Sequence, residues 1–215
     1  WGTVVTIAQE YLTTYPNGSF AASMNEQTIG ALSKWSSELI ADKDYGSGIE
    51  KLQQLVETYP TDPTAEPARE EILQTNLTWA KELTDKQSYP EAEQKLKSAL
   101  AYFETDSARG AKIKEELVKV YIGWGDRQVE IGNLDNAIRY YQQAGEISQG
   151  GIDINMMIAK AYLKQATDIA DKGDFNRALT KVQEVADTAQ AENVKAAVKA
   201  AQQKILTAYS NSNSQ

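Results

Sequence analysis

The sequence predicts an all-α fold: a solenoid of antiparallel helix pairs with a period of 41 to 45 residues, about ten helices in all. Three observations carry the prediction. The tripeptide Thr-Tyr-Pro occurs at 14–16 and again at 58–60, an offset of 44. Trp35, Trp79 and Trp124 follow one another at intervals of 44 and 45. Within each interval apolar residues recur at helical spacing, and no period-2 alternation competes with them. A repeat of this length marks stacked units, each too small to bury its own apolar face alone.

The elements follow in order. Residues 1–17 match only the second helix of a unit and form a half repeat. Full repeats are expected at 18–61, 62–105, 106–149 and 150–190. They align through WSSELIADKDYGSGIEKLQQL (35–55), WAKELTDKQSYPEAEQKLKSA (79–99), WGDRQVEIGNLDNAIRYYQQA (124–144) and QATDIADKGDFNRALTKVQEV (165–185). Each segment reads as a helix, a short polar turn and a second helix. The second helices carry one apolar stripe each: Ile49, Leu52, Leu55 and Val56; Ala92, Leu96, Ala99 and Leu100; Ala137, Ile138, Tyr141 and Ala144.

Gly48, Ala92, Ala137 and Ala178 share one matched position, where a small residue lets two helices approach closely. The turns hold Gly, Asn, Asp or Pro, which punctuate helices. Pro16 and Pro60 end second helices, and Pro63 suits the first turn of a long first helix running to about Lys86. Residues 191–209 predict a capping helix with one apolar face: Val194, Val198, Ala201, Ile205, Leu206 and Tyr209. Residues 210–215 form a polar tail. The solenoid at 1–209 is thus expected to be a single domain.

Composition removes several function classes. The chain has no cysteine and no histidine, so disulfides, thiol nucleophiles, His-based triads and Cys/His zinc sites are absent. With 22 basic and 30 acidic residues and no Lys/Arg block, it is not built to bind a nucleic-acid backbone. No run of 18 apolar residues is present, so no direct membrane insertion is expected in this segment. The first residue is Trp rather than Met, which suggests a processed or trimmed product. The open half repeat suggests continuation from an upstream membrane anchor.

Several motifs have both a chemical and a structural reading. DKDYGSG (42–48) starts like a calcium loop, but Gly46 is one residue early and the twelfth position is Gln53. Asp-Lys recurs at 85–86 and 171–172, near the same repeat position, so the stretch reads as the turn between two helices. Trp35, Trp79 and Trp124 read as packing residues between helices rather than an aromatic ladder for ligands. The sequons NGS (17–19) and NLT (76–78) are chance matches. Glu70-Glu71 and Glu115-Glu116 read as solvated helix faces rather than acid/base pairs. No catalytic, cofactor or metal residue is expected.

In the fourth unit the pattern reads Tyr121, Trp124, Gly125, Gly132, Asn133, Leu134, Ala137, Tyr141 and Ala144. The fifth gives Tyr162, Ala166, Gly173, Asp174, Phe175 and Ala178, and the second Leu32, Trp35, Leu39, Tyr45, Gly48, Leu52, Leu55 and Pro60. This resembles the tetratricopeptide repeat. The long units ending in Tyr-Pro look like those of bacterial extracytoplasmic proteins, of the outer-membrane-assembly lipoprotein and Tol-Pal-associated types. The resemblance implies a right-handed α-solenoid that binds protein or peptide partners along its first helices.

Carried over by position, the groove residues are Ser33, Ser37 and Ala41; Leu77, Lys81 and Asp85; Ile122, Asp126 and Glu130; and Leu163, Thr167 and Asp171. The paired lysines of carboxylate clamps are missing. The expected function is a non-catalytic interaction scaffold of a bacterial envelope or extracellular assembly, in the periplasm or at the cell surface. Two alternatives stay open: a structural subunit that self-assembles or completes a complex through its repeat ends, and a ligand-binding accessory domain of a larger enzyme.

Overall fold

Among the described residues, helix follows helix through two kinds of turn. The computed structural model describes residues 1–148, 153–188 and 192–212, and every regular element among them is an α-helix. In chain order these are α1 (Gly2–Thr14), α2 (Ala21–Ala41), α3 (Tyr45–Thr58), α4 (Ala65–Asp85) and α5 (Tyr89–Tyr102). There follow α6 (Ser107–Glu130), α7 (Leu134–Ile147), α8 (Ile154–Ala170), α9 (Phe175–Thr188) and α10 (Glu192–Ser212). The pairs α2/α3, α4/α5, α6/α7 and α8/α9 are the four repeats, and α1 is the half repeat.

The turn inside each repeat is one hydrogen-bonded cap used four times. After α2 the Lys43 N–H donates to the Ile40 carbonyl at 3.0 Å and the Asp44 N–H to the Leu39 carbonyl at 2.9 Å. The same two bonds recur at Gln87/Ser88, Gly132/Asn133 and Gly173/Asp174. This is the Schellman arrangement, which needs one residue in the left-handed region. Lys43, Gln87, Gly132 and Gly173 supply it, with φ of 64°, 59°, 78° and 88°.

The next helix then starts on a cap. Asp44 Oδ1 accepts the Ser47 N–H at 3.3 Å, and Asp174 Oδ1 accepts the Arg177 N–H at 3.2 Å. The two aspartates of DKDYGSG are therefore the C-cap of α2 and the N-cap of α3.

Three of the turns that lead into a new repeat are built on an aromatic residue. Tyr15, Tyr59 and Phe103 end α1, α3 and α5, their N–H groups donating to the carbonyls of Tyr11, Leu55 and Ala99 at 2.7, 2.8 and 3.0 Å. Pro63 was expected in the first turn of the following helix; instead it lies in the loop before α4. The Asp62 carboxylate accepts both the N–H and the hydroxyl of Thr64, at 2.8 and 2.6 Å, and holds the loop closed until Ala65. Pro67 takes the early helical place, where a missing N–H costs nothing.

The chain divides into two compact units, Trp1–Ile113 and Lys114–Gln215, with the division inside α6. The first unit buries Leu32, Leu52, Leu55, Ile72, Leu73, Leu96 and Ile113 almost completely. α2 and α3 approach closely at Gly48, where a Cβ would lie 2.6 Å from Ile40 Cγ1. Ser36 Oγ donates to the Gly48 carbonyl at 2.9 Å across the same contact.

In the second unit α8, α9 and α10 share one core. It contains Ala159, Leu163, Ala166, Ala178, Val182, Val194, Val198, Ala201 and Ile205. The cap α10 runs to Ser212, so the first residues of the expected polar tail are helical. Its buried stripe is narrower than predicted: Leu206 and Tyr209 are 51% and 48% exposed. Leu206 follows Ile205 directly and so points about 100° away from it. The expected boundaries at 149/150 and 190/191, and the end of the tail, lie outside the described residues.

Candidate functional site

The predicted groove residues occupy three matched positions of the first helices, a first, a second and a third row in sequence register. Ser33, Leu77 and Ile122 are half-buried, whereas Leu163 is only 7% exposed. Leu163 lies in the core that α10 completes with α8 and α9. The second row is Ser37, Lys81 and Asp126, all exposed, with Thr167 half-buried. The third row, Ala41, Asp85, Glu130 and Asp171, is exposed throughout and mostly acidic.

Most of the polar ones among these side chains have a local partner. Ser37 Oγ donates to the Ser33 carbonyl at 3.0 Å, and Thr167 Oγ1 to the Lys164 carbonyl at 2.8 Å. Lys81 pairs with Asp85 at 2.6 Å and Glu130 with Arg127 at 2.9 Å. Exposed pairs of this kind contribute little and open easily to a ligand.

Asp126 differs. It accepts the Tyr141 hydroxyl at 2.7 Å, a bond between the two helices of one repeat. Burial pushes the Tyr141 phenol well above its usual range, and the Asp126 carboxylate adds to the effect. Asp126 thus has a structural duty that its exposed position conceals.

The tryptophans sit half-buried between helices, each covered from its own second helix. Lys51 Nζ lies 4.7 Å from the Trp35 ring and Lys95 Nζ 4.1 Å from the Trp79 ring. Tyr140 stacks on Trp124 with centroids 4.0 Å apart. Trp35 also faces Gly2, and Trp79 faces Gly46, at matched places. The covering residues escaped sequence reasoning, although each lies 16 positions after its tryptophan.

A second feature not anticipated is the charge cluster around Arg109. Its guanidinium meets Glu66 at 2.6 Å, Asp106 at 2.5 Å and Glu70 at 3.4 Å while remaining 13% exposed. The Arg109 hydrogen bond holds the Glu66 carboxyl below its ordinary value. The backbone N–H of Arg109, followed by its side chain, does the same for Asp106. The cluster borders a groove of about 610 Å³ with Arg69, Tyr102 and Phe103. Its carboxylates are matched by arginines, so it ties α4 to the start of α6 rather than offering a free charge.

No helix among the described residues is long and apolar enough to cross a membrane. No family model matches the chain, and no curated protein matches it in sequence. Two solved structures align with most of it. One is the yeast histone chaperone Hif1, described as a scaffold protein recruiting protein complexes to core histones. It is 13% identical, covers 87% of this chain and 95% of its own, and has a TM-score of 0.26. The other is MamA, 17% identical, covering 77% of this chain and 98% of its own, also with a TM-score of 0.26. At these scores the likeness carries no weight for partner or pathway. The assignment of an all-α repeat fold rests on the four matched turns and helix pairs described above.

Proposed function

We propose that the chain is a non-catalytic protein-interaction scaffold of a bacterial envelope or extracellular assembly. Partners bind along the exposed sides of the first helices. One observation carries this reading. Gly48, Ala92, Ala137 and Ala178 keep one matched buried position small, whereas the exposed second-row position changes from unit to unit. Ser37, Lys81 and Asp126 occupy one place, and all three are exposed. A constant interior beneath a varied surface suits a repeat array that reads protein segments. The acidic third row favours a basic segment.

The reading is tested by capture from a bacterial envelope fraction on the immobilised chain. Glu130→Lys with Asp171→Lys is expected to abolish capture of specific partners without loss of helicity. Glu57→Lys, a charge reversal on the second helix α3, is expected to leave capture intact. Equal loss in both variants would reject the first-helix surface.

A further inference from the structure

One edge contact recurs along the chain and changes its chemistry between α7 and α8. Trp1, Tyr45, Tyr89, Leu134 and Phe175 share one matched position, at the starts of α1, α3, α5, α7 and α9, and only Leu134 is not aromatic. Two of the rings donate a hydrogen bond to an acid on the following first helix. The Trp1 indole N–H reaches Glu38 at 2.7 Å, and the Tyr45 hydroxyl reaches Glu82 at 2.9 Å. Tyr45 also lies against Trp79, with ring centroids 5.9 Å apart, and Lys43 joins Glu82 at 2.8 Å.

Between α7 and α8 the donors of that contact are replaced and the acceptor is kept. Leu134 stands for Tyr45, Gln165 for Trp79 and Gly132 for Lys43, while Asp168 stands for Glu82. Two rings are lost, and a cavity of about 460 Å³ opens at this place. Leu134 and Ile169 line it with apolar surface, and Gln165 and Asp168 with acceptors. A Cβ at Gly132 would meet no atom within 4 Å, so that side is open.

Both acceptors are poorly used. Among the described residues Asp168 is bonded only along its own helix, to Lys164 at 3.4 Å. The Gln165 amide nitrogen donates to Asp135 at 2.8 Å, which fixes the orientation of the amide, because a carboxylate only accepts. Gln165 Oε1 is then buried and accepts no hydrogen bond from a described residue. A buried acceptor left unpaired costs free energy that a guest donor recovers.

We propose that this cavity takes a tyrosine side chain presented by a protein partner, its hydroxyl donating to Asp168 as Tyr45 donates to Glu82. The volume lies in the range of ordinary ligand cavities, and Leu134 and Ile169 offer the apolar contact that a ring needs. Asp135, Asp168 and Asp174 outnumber Lys172 and Arg177 in the lining, so a neutral ring with a donor fits it better than an anion does. None of the first-helix groove residues takes part. The site rests on the scaffold reading only for the source of the tyrosine, and binding of a tyrosine probe is independent of capture on the first helices.

The test titrates the whole chain with the peptide Gly-Gly-Tyr-Gly-Gly, followed by two-dimensional NMR. Saturable shifts of the Gly132 backbone amide and the Gln165 side-chain amide are expected. Gly-Gly-Phe-Gly-Gly, which lacks the hydroxyl, should bind at least about tenfold more weakly, and Asp168→Ala should weaken the tyrosine peptide by a similar factor. Leu134→Tyr should abolish binding and raise the thermal midpoint, because the chain then supplies its own ring. Circular dichroism confirms that both variants stay helical, and Asp168→Ala decides the matter alone where Leu134→Tyr does not fold. No saturable shift overturns the proposal. So does equal affinity for the two peptides, or binding that Asp168→Ala leaves unchanged. Saturable binding of p-cresol without binding of the tyrosine peptide would assign the cavity to a small phenol and likewise overturn it.

Discussion

The Tyr45 hydroxyl donates to Glu82 at 2.9 Å, tying the start of one repeat's second helix to the first helix of the next. The same bond occurs 44 residues earlier, where the Trp1 indole N–H donates to Glu38 at 2.7 Å. Lys43 joins the later pair through an ion pair of 2.8 Å with Glu82. The side-chain bonds from Lys43 and Tyr45 hold the Glu82 carboxyl below its ordinary value. Stacked units are therefore registered by polar contacts at their edges as well as by the core. Tyr45→Phe and Glu82→Gln should each lower the thermal midpoint. A double-mutant cycle should be non-additive, because each change removes the partner of the other. Additive effects would show that the bond does not couple the repeats.

The left-handed cap residues predict opposite effects at matched places. Gln87 at φ 59° holds a conformation that costs a non-glycine residue about 1 kcal/mol. Gln87→Gly should therefore stabilise the chain by up to about 1 kcal/mol. Gly132→Ala, at φ 78°, should destabilise it by a similar ~1 kcal/mol. Urea unfolding of both variants against the parent measures the difference, and a shift of the same sign in both would refute the shared geometry.

Two helical glycines separate packing from propensity. Gly30 in α2 has open space where a Cβ would stand, so Gly30→Ala should gain about 0.8 kcal/mol in helix propensity. At Gly125 in α6 a Cβ would run into the Tyr141 ring, which is buried and held by Asp126. Gly125→Ala should cost about 1–3 kcal/mol despite the same propensity gain. Chemical denaturation resolves both, and a stabilised Gly125→Ala would mean the ring moves aside freely.

Acid should weaken the Arg109 cluster first. Glu66 and Asp106 have folded values below their ordinary 4.5 and 3.8. Their contribution is present above those ordinary values and is lost as the pH falls through the lowered ones. Glu71 works the other way: burial raises its carboxyl, so its penalty fades as the pH falls. The thermal midpoint should hold from neutrality to about pH 5 and decline below it. Arg109→Met should lower the midpoint at neutral pH and flatten the acid decline. An unchanged acid profile in that variant would remove the cluster from the stability account.

Much of the fold was legible because its signals are local. The repeat spacing, the turn at DKDYGSG and the small residues from Gly48 to Ala178 each depend on a few neighbours along the chain. The candidate surface was less legible. Asp126 reads as an exposed acid, yet its bond to Tyr141 spans 15 residues and depends on how α6 and α7 lie together. Leu163 has the same matched position as Ile122, but α10 joins the core around it. The lysines over Trp35 and Trp79 share a spacing that becomes meaningful only once the helices are paired.

The amino-acid sequence by itself determined the helical class, the period, the register and the small contacts between paired helices. Apolar periodicity, capping residues and side-chain size act over one or two helical turns. Only the tertiary structure decided which matched side chains are exposed and which carboxylates are tied to Arg109 or Tyr141. Exposure is set by what packs on top of a residue, and that neighbour is tens of residues away along the chain.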